Sequence, residues 1–209
     1  MPVRAGSRRP CRSLSGQVAI VTGAGSAGDD IGNGRAVAIL LAEDGASVVC
    51  VDLDLSMAER TIEMITEEGK GAGVAIQADV CNEDDCRRIV QTTVANFGRL
   101  DILVNNVGVI GARGTALDVD VLEWTKGLEV NVTSMMLMAK MCLPAMRKNK
   151  PRDGNRRGAI VNMGSVAGLQ GGTPSLLYPT SKGAVVNMTR AMAAHHASRW
   201  NQSKLCLPR

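Results

Sequence analysis

A doubly wound α/β fold built on a parallel sheet is the architecture this sequence predicts, and three observations predict it. Short apolar runs alternate with helical segments from Gln17 onward. The runs are dense in valine and isoleucine with little polar alternation, the pattern of strands covered on both faces. A glycine-rich stretch separates the first run from the first helix, where the backbone must turn tightly.

Taken in order, Val18–Val21 reads as the first strand, followed by the glycine turn and a helix over Arg35–Glu43. Ser47–Val51 is the second strand, Ser56–Glu68 a helix and Gly73–Gln77 the third strand. A helix over Asp84–Asn96 leads to a fourth strand at Ile102–Val104. One long helix is predicted over Leu122–Arg147, with Gly127 and Pro144 weakening its ends. Ala159–Met163 is the fifth strand, and Ser181–Ala197 the last helix. The segment Lys148–Arg157 is strongly polar and reads as a surface loop. No repeat and no second domain boundary interrupt residues 15–197.

At 209 residues, with 45% hydrophobic and 21% charged side chains, the chain suits one soluble domain with a sizeable core. The net charge of +4 comes from Arg4, Arg8, Arg9 and Arg12; the other 20 basic residues balance 20 acidic ones. A body without charge bias argues against nucleic acid as a partner. Residues 1–14 read as a disordered basic leader, with a mitochondrial presequence as the second reading. No apolar run reaches membrane-spanning length. The six cysteines are scattered, some inside apolar runs, and lack metal-ligand spacing, which points to a reducing cytoplasmic protein without a metal.

Two groups of residues carry chemistry. The first is the loop Thr22-Gly23-Ala24-Gly25-Ser26-Ala27-Gly28-Asp29-Asp30-Ile31-Gly32-Asn33-Gly34, which joins the first strand to the first helix. A glycine turn at that point lets backbone approach a pyrophosphate at a helix N-terminus. Asp52 ends the second strand, where an acid hydrogen-bonds the adenosine ribose and repels a 2′-phosphate; it also reads as a plain turn residue. No basic residue lies in the loop, so NAD is preferred over NADP. The second group centres on Tyr178, the only tyrosine among four aromatic residues. Lys182 follows it by four residues, one helical turn, and Ser165 precedes it by thirteen. A phenol is a poor base at neutral pH, and a cation one turn away favours its ionised form.

In these motifs the chain resembles the short-chain dehydrogenase/reductase family from Gly16 through Ala194. Gly23, Ile31 and Gly32 match its glycine motif, and Asp79-Val80 its adenine-contacting pair. Asn105-Asn106-Val107-Gly108 is similar to its fourth-strand Asn-Asn-Ala-Gly, and Asn131, Ser165, Tyr178 and Lys182 fall at its catalytic tetrad. The resemblance implies a Rossmann-like sheet and an NAD-dependent oxidoreductase interconverting a secondary alcohol and a ketone. It implies Tyr178 as acid/base, Lys182 on the phenol and the nicotinamide ribose, Ser165 on the substrate oxygen, and Asn131 holding a relay water. Cofactor contacts are implied for Gly23, Ser26, Ile31, Gly32, Asp52, Leu53, Asp79, Val80, Asn105, Gly108, Tyr178 and Lys182. Asn105 also reads as a brace between strands, and Asn131 as a polar helix residue. Homo-oligomers are usual in the family. A nucleotide-binding but non-catalytic protein is the alternative.

Two departures qualify the resemblance. The glycine loop is long, with Asp30 where a middle glycine is expected; its carboxylate would repel a bound diphosphate, unless the longer loop carries it away from the phosphates. Residues 198–209 show no strand pattern where the family continues into a sixth strand. With permitted codons, dropping one nucleotide before Trp200 turns the tail into Gly-Ile-Arg-Val-Asn-Cys-Val-Cys-Pro, a typical sixth strand and turn. The tail therefore reads as a frame-shifted replacement, and the chain as truncated, with the family's last strands lacking, its oligomer contacts weakened and little or no activity expected.

Overall fold

Four apolar residues in a row and a threonine, Val18–Thr22 (β1), are buried along their whole length and form the middle of a six-stranded sheet. The computed structural model describes residues 13–67, 71–151, 157–197 and 201–206. The other strands are Ser47–Asp52 (β2), Gly73–Gln77 (β3), Ile102–Asn105 (β4), Gly158–Met163 (β5) and Asn201–Cys206 (β6). They lie in the order β3-β2-β1-β4-β5-β6 and every pair is parallel. The helices are Asn33–Glu43 (α1), Leu55–Glu67 (α2), Glu83–Phe97 (α3), Val121–Leu128 (α4), Ser134–Arg147 (α5) and Leu177–Ala197 (α6).

Parallel strands need crossovers, and the crossovers cover both faces of the sheet. On one face Ala38, Ala42, Ala58 and Ile65 of α1 and α2 pack with Val21, Val48 and Cys50. On the other, Ile89 and Cys86 of α3 and Met138, Cys142 and Met146 of α5 pack with Ile20, Val49, Leu103 and Ile160. Asn82 begins α3 by accepting from the N–H groups of Asp84 and Asp85, and Gly98 ends it in a left-handed conformation.

Four expectations are corrected. The long helix is interrupted: α4 and α5 are joined by a π-helical turn, Glu129–Thr133, that carries Asn131. The last helix begins at Leu177, earlier than Ser181, so Tyr178 and Pro179 stand in its first turn, where a proline costs no hydrogen bond. Residues 198–209 do carry a strand. Its residues Asn201–Cys206 run alongside β5, from Gly158 opposite Asn201 to Met163 opposite Cys206. The pairing is made by main-chain groups, which every residue offers whatever its side chain. Among the described residues β6, not β5, is thus the outer strand on this side of the sheet. Finally, the leader reading falls on residues 1–12, outside the described residues, but its last residue belongs to the fold. Leu14 donates its N–H to the Asp44 carbonyl at 2.6 Å.

The polar Lys148–Arg157 segment is anchored at its start. Asn149 is buried and donates to the carbonyls of Leu100 at 2.7 Å and Arg157 at 2.9 Å. Residues 152–156 lie outside the described residues. Among the described residues no helix is long and apolar enough to cross a membrane.

Candidate active site and nucleotide cleft

The chain winds from β1 towards β3 on one side and from β4 towards β6 on the other, so the topology reverses between β1 and β4. In an open parallel sheet, loops diverge at that point and leave a crevice beyond the strands' carboxyl ends. Here the crevice is a cavity of about 280 Å3. Gly23 and Gly25 after β1, Asp52 and Leu53 after β2, Asp79 and Val80 after β3, and Gly108 after β4 line it. Burial, with Asp79 beside it, pushes the Cys81 thiol up to about 12, so it is a neutral wall of this cleft.

The glycine loop is held from beneath. Arg35, in the first turn of α1, is fully buried. Its Nη1 donates to the carbonyls of Gly28 and Asp30, both at 2.7 Å, its Nη2 to that of Ser26 at 2.8 Å, and its Nε to Thr61 Oγ1 at 3.0 Å. The lengthened loop is therefore folded around a guanidinium, whose fixed fork suits several carbonyls at once. Asp30 is exposed and is not among the residues lining the cleft, which agrees with the reading that the longer loop carries it away. Gly34 is the close-packing glycine of the loop: a Cβ there would lie 1.9 Å from the Gly23 carbonyl oxygen. Gly32 is the N-cap residue of α1 and makes no side-chain cap hydrogen bond. The first N–H groups of α1 are thus left for an anionic ligand.

Asp52 faces the same loop. Its Oδ2 accepts from the Gly25 N–H at 2.9 Å, and a Cβ on Gly25 would come within 2.9 Å of that oxygen. Asn106 ties the two sides of the crevice together, donating its Nδ2 to the Gly23 carbonyl at 2.9 Å and its N–H to Thr22 Oγ1 at 3.1 Å. These features fit a dinucleotide: an uncapped helix start, a backbone-lined approach at Gly23 and Gly25, and a carboxylate lining the cleft.

The second group of predicted residues gathers at the β4 side. Lys182 is buried, donates Nζ to the Met163 carbonyl at 2.8 Å and lies 5.8 Å from the centre of the Tyr178 ring. Burial holds its amine below the usual lysine range. A Cβ on Gly108 would lie 3.2 Å from Lys182 Nζ and 3.4 Å from Asn131 Oδ1, so both side chains lie beside a glycine that lines the cleft. Ser165 closes β5, is buried, and accepts from the Ala167 N–H at 3.2 Å, which leaves its own hydroxyl proton available to a ligand. Both N–H donors of the Asn131 side chain are engaged, and its oxygen accepts one bond. Oδ1 accepts from the Val109 N–H at 2.7 Å, while Nδ2 donates to the Val109 carbonyl at 2.8 Å and to Ser181 Oγ at 3.0 Å.

One contact sets the distance between Ser165 and the Tyr178–Lys182 helix. Gly168, at the end of the 3₁₀ turn that Ser165 caps, sits so close to α6 that a Cβ would lie 2.5 Å from the Lys182 carbonyl carbon. Gly168→Ala is therefore expected to part Ser165 from Tyr178 by a fraction of an ångström or more. It should cost about 1–3 kcal/mol in stability and up to about a hundredfold in turnover. Thermal unfolding and steady-state rates check it, and unchanged turnover would mean that Ser165 needs no such spacing.

Of the residues expected at the nucleotide, Gly23, Asp52, Leu53, Asp79, Val80 and Gly108 line one cleft. Lys182 lies beside Gly108, with Tyr178 next to it. Ser26, Ile31, Gly32 and Asn105 are not among the residues that line the cleft. Ile31 is 59% exposed, Gly32 is the N-cap of α1, and Ser26 turns its carbonyl onto Arg35. Asn105 is the brace: it donates to Asn162 Oδ1 at 2.9 Å and to the Met135 carbonyl at 3.2 Å, joining β4 to β5 and α5. Sequence reasoning had Gly25 and Gly34 only as members of the loop, and it missed Arg35 and the packing role of Gly168. The pair Gly34-Arg35 had a signal, a glycine followed by a long cation at the start of an otherwise apolar helix.

The sequence model of the family described as short chain dehydrogenase matches residues 17–200. The 2-(S)-hydroxypropyl-CoM dehydrogenase 3 of Xanthobacter autotrophicus is 37% identical over 189 residues, covering 89% of this chain and 68% of its own. A short-chain dehydrogenase/reductase structure from Burkholderia xenovorans superposes with a TM-score of 0.84 at 37% identity, over 93% of this chain and 72% of that one. The NAD+-bound xylitol dehydrogenase superposes with a TM-score of 0.83 at 30% identity, over 93% of this chain and 70% of that one. The crevice at the β1/β4 reversal, the glycine turn and the Tyr178–Lys182 helix thus have their counterpart in a known group of oxidoreductases, and this chain belongs to the short-chain dehydrogenase/reductase family.

Proposed function

We propose that the protein binds NAD in the β1/β4 cleft and exchanges hydride between it and a secondary alcohol or its ketone. The observation that supports this reading most is that Lys182 Nζ and Asn131 Oδ1 both lie beside Gly108, which lines the same cleft as Asp52. The adenosine end is assigned to Asp52, Leu53, Asp79 and Val80, and the diphosphate to Gly23 and the first turn of α1. The nicotinamide ribose is assigned to Tyr178 and Lys182. A bound nicotinamide supplies the hydride chemistry; the side chains supply position, charge and the proton.

The substrate oxygen is held between the Ser165 hydroxyl and the Tyr178 phenol. Tyr178 gives its proton to that oxygen in reduction and takes it back in oxidation. Negative charge that grows on the phenol oxygen is stabilised by the buried Lys182 ammonium, whose cost of burial is already met by the fold. Asn131 acts by position: its amide is spent on Val109 and Ser181, so it fixes the loop after β4 against α6 rather than touching substrate. The described cysteines Cys50, Cys81, Cys86 and Cys142 are free, in keeping with a reducing cytoplasmic setting.

Equilibrium titration with NADH and NADPH, followed by a panel of secondary alcohols and ketones, tests the proposal. We expect NADH to bind at least about tenfold more tightly than NADPH, because Asp52 repels a 2′-phosphate. Equal affinities would overturn the NAD assignment. Binding without turnover across the panel would favour a nucleotide-binding protein that does no chemistry.

A further inference from the structure

A second cavity, of about 240 Å3, opens between the glycine loop and α2, lined by Ser26, Gly28, Asp29, Ser56, Met57 and Arg60. It adjoins Asp52. Gly25, next to Ser26 in the chain, donates to Asp52 Oδ2, and a Cβ on Gly25 would come within 2.5 Å of Met57 Cβ. With the adenosine ribose on Asp52, a phosphoryl group on its 2′-oxygen would be directed past that carboxylate towards this cavity. Arg60 is the one cation among the lining residues, and a guanidinium is the side chain best suited to a phosphate.

That guanidinium is already committed. Arg60 Nε lies 2.8 Å from Asp29 Oδ1, while Nη1 lies 3.1 Å from Glu63 Oε2 and 3.5 Å from Glu67 Oε1. Glu63 and Glu67 belong to α2 itself, one and two turns beyond Arg60. Asp29 comes from the glycine loop, 31 residues away, and takes the Nε edge that a two-pronged phosphate contact would use. Three carboxylates around one guanidinium leave the cavity's mouth negative.

We propose that Asp29 is a second specificity-determining residue for the cofactor, holding Arg60 against the loop so that a 2′-phosphorylated dinucleotide finds no cation. This inference rests on the NAD reading above. It assigns the discrimination to two carboxylates with different modes of action: Asp52 opposes the phosphate directly, and Asp29 withholds its partner. The pair is partly exposed, so the expected effect is modest, about threefold to fivefold in affinity.

The test is equilibrium titration of the 209-residue chain with NADH and with NADPH, read by nucleotide fluorescence, for the unaltered chain, Asp29→Asn, and Asp29→Asn combined with Arg60→Met. Asp29→Asn is expected to tighten NADPH binding about threefold to fivefold with NADH affinity held within about twofold, and the double variant to return NADPH affinity to its starting value. Unchanged NADPH affinity in Asp29→Asn, or a gain that survives Arg60→Met, would overturn the inference and leave the NAD assignment standing. Equal weakening for both nucleotides would also overturn it, because Asp29 would then only prop the loop. An unaltered chain that binds neither nucleotide, or prefers NADPH, would overturn both readings, and this is seen before any variant is compared.

Discussion

In any form of the chain that turns over an alcohol of the panel, replacing Tyr178 with phenylalanine is expected to lower turnover by about a hundredfold to ten-thousandfold, the range of a positioned proton-transfer group, while NADH affinity falls by at most about tenfold, the weight of one ribose contact. The substitution removes one oxygen and keeps the ring. Tyr178 lies in the first turn of α6, where Pro179 and the buried Leu177 fix the backbone without help from the hydroxyl. Lys182 keeps its bond to the Met163 carbonyl, so the floor of the cleft is unchanged. A loss of rate far beyond the loss of binding separates an interaction made in the reaction from one made with the bound nucleotide. Steady-state rates on the most active alcohol of the panel, with NADH titration of the same preparations, make the measurement. Turnover within threefold of the unaltered protein would transfer the proton to another group and leave Tyr178 a packing residue.

The second large effect is expected beneath the glycine loop. Arg35→Met leaves a side chain of similar length but no donors, so the carbonyls of Ser26, Gly28 and Asp30 lose the partner that folds the loop around them. An orphaned buried polar group costs about 1–3 kcal/mol, and part of this loop relaxes into water. A net loss of roughly 3–5 kcal/mol follows, which lowers Tm by roughly 10 °C in a chain of this size. NADH affinity falls with it, because the loop that positions Gly23 and the start of α1 is no longer held. Arg35→Lys restores the charge without the fork and should recover less than half of the lost stability. A Tm within about 2 °C of the unaltered chain for Arg35→Met would show that the loop holds itself.

Much of this arrangement was legible in the residues because it depends on local pattern. Uniformly apolar runs such as Val48–Val51 report strands covered on both faces. The interval from Tyr178 to Lys182 reports one helical turn, and an acid at the end of β2 reports a place at the crevice. What escaped depends on contacts between distant parts. The π-helical turn at Glu129–Thr133 has no compositional mark, since the residues Glu-Val-Asn-Val-Thr suit an α-helix as well; its cause is the bonding of Asn131 to Val109 and Ser181. The close packing of Gly34 was not legible, because the loop offers several glycines and only the fold shows which one meets Gly23. Asp30 looked hostile to a diphosphate only while its backbone was unplaced; Arg35 takes its carbonyl and the side chain stays outside the cleft. The tail was misread for a different reason. Strand patterns report which faces are buried, whereas β6 pairs with β5 through main-chain groups that every residue possesses.

The central claim, one cleft with an adenosine end at Asp52 and a reacting end at Tyr178, is tested most directly by a crystal structure of the 209-residue chain grown with NAD. The account predicts the adenosine ribose hydroxyls within hydrogen-bond distance of Asp52, the adenine between Leu53 and Val80, and the diphosphate over Gly23 and the start of α1. It further predicts the nicotinamide ribose within reach of Lys182 Nζ and the Tyr178 hydroxyl, with the ring beside Gly108. A nucleotide bound outside the β1/β4 crevice, or one lying in it with its nicotinamide directed away from Tyr178, would contradict the account.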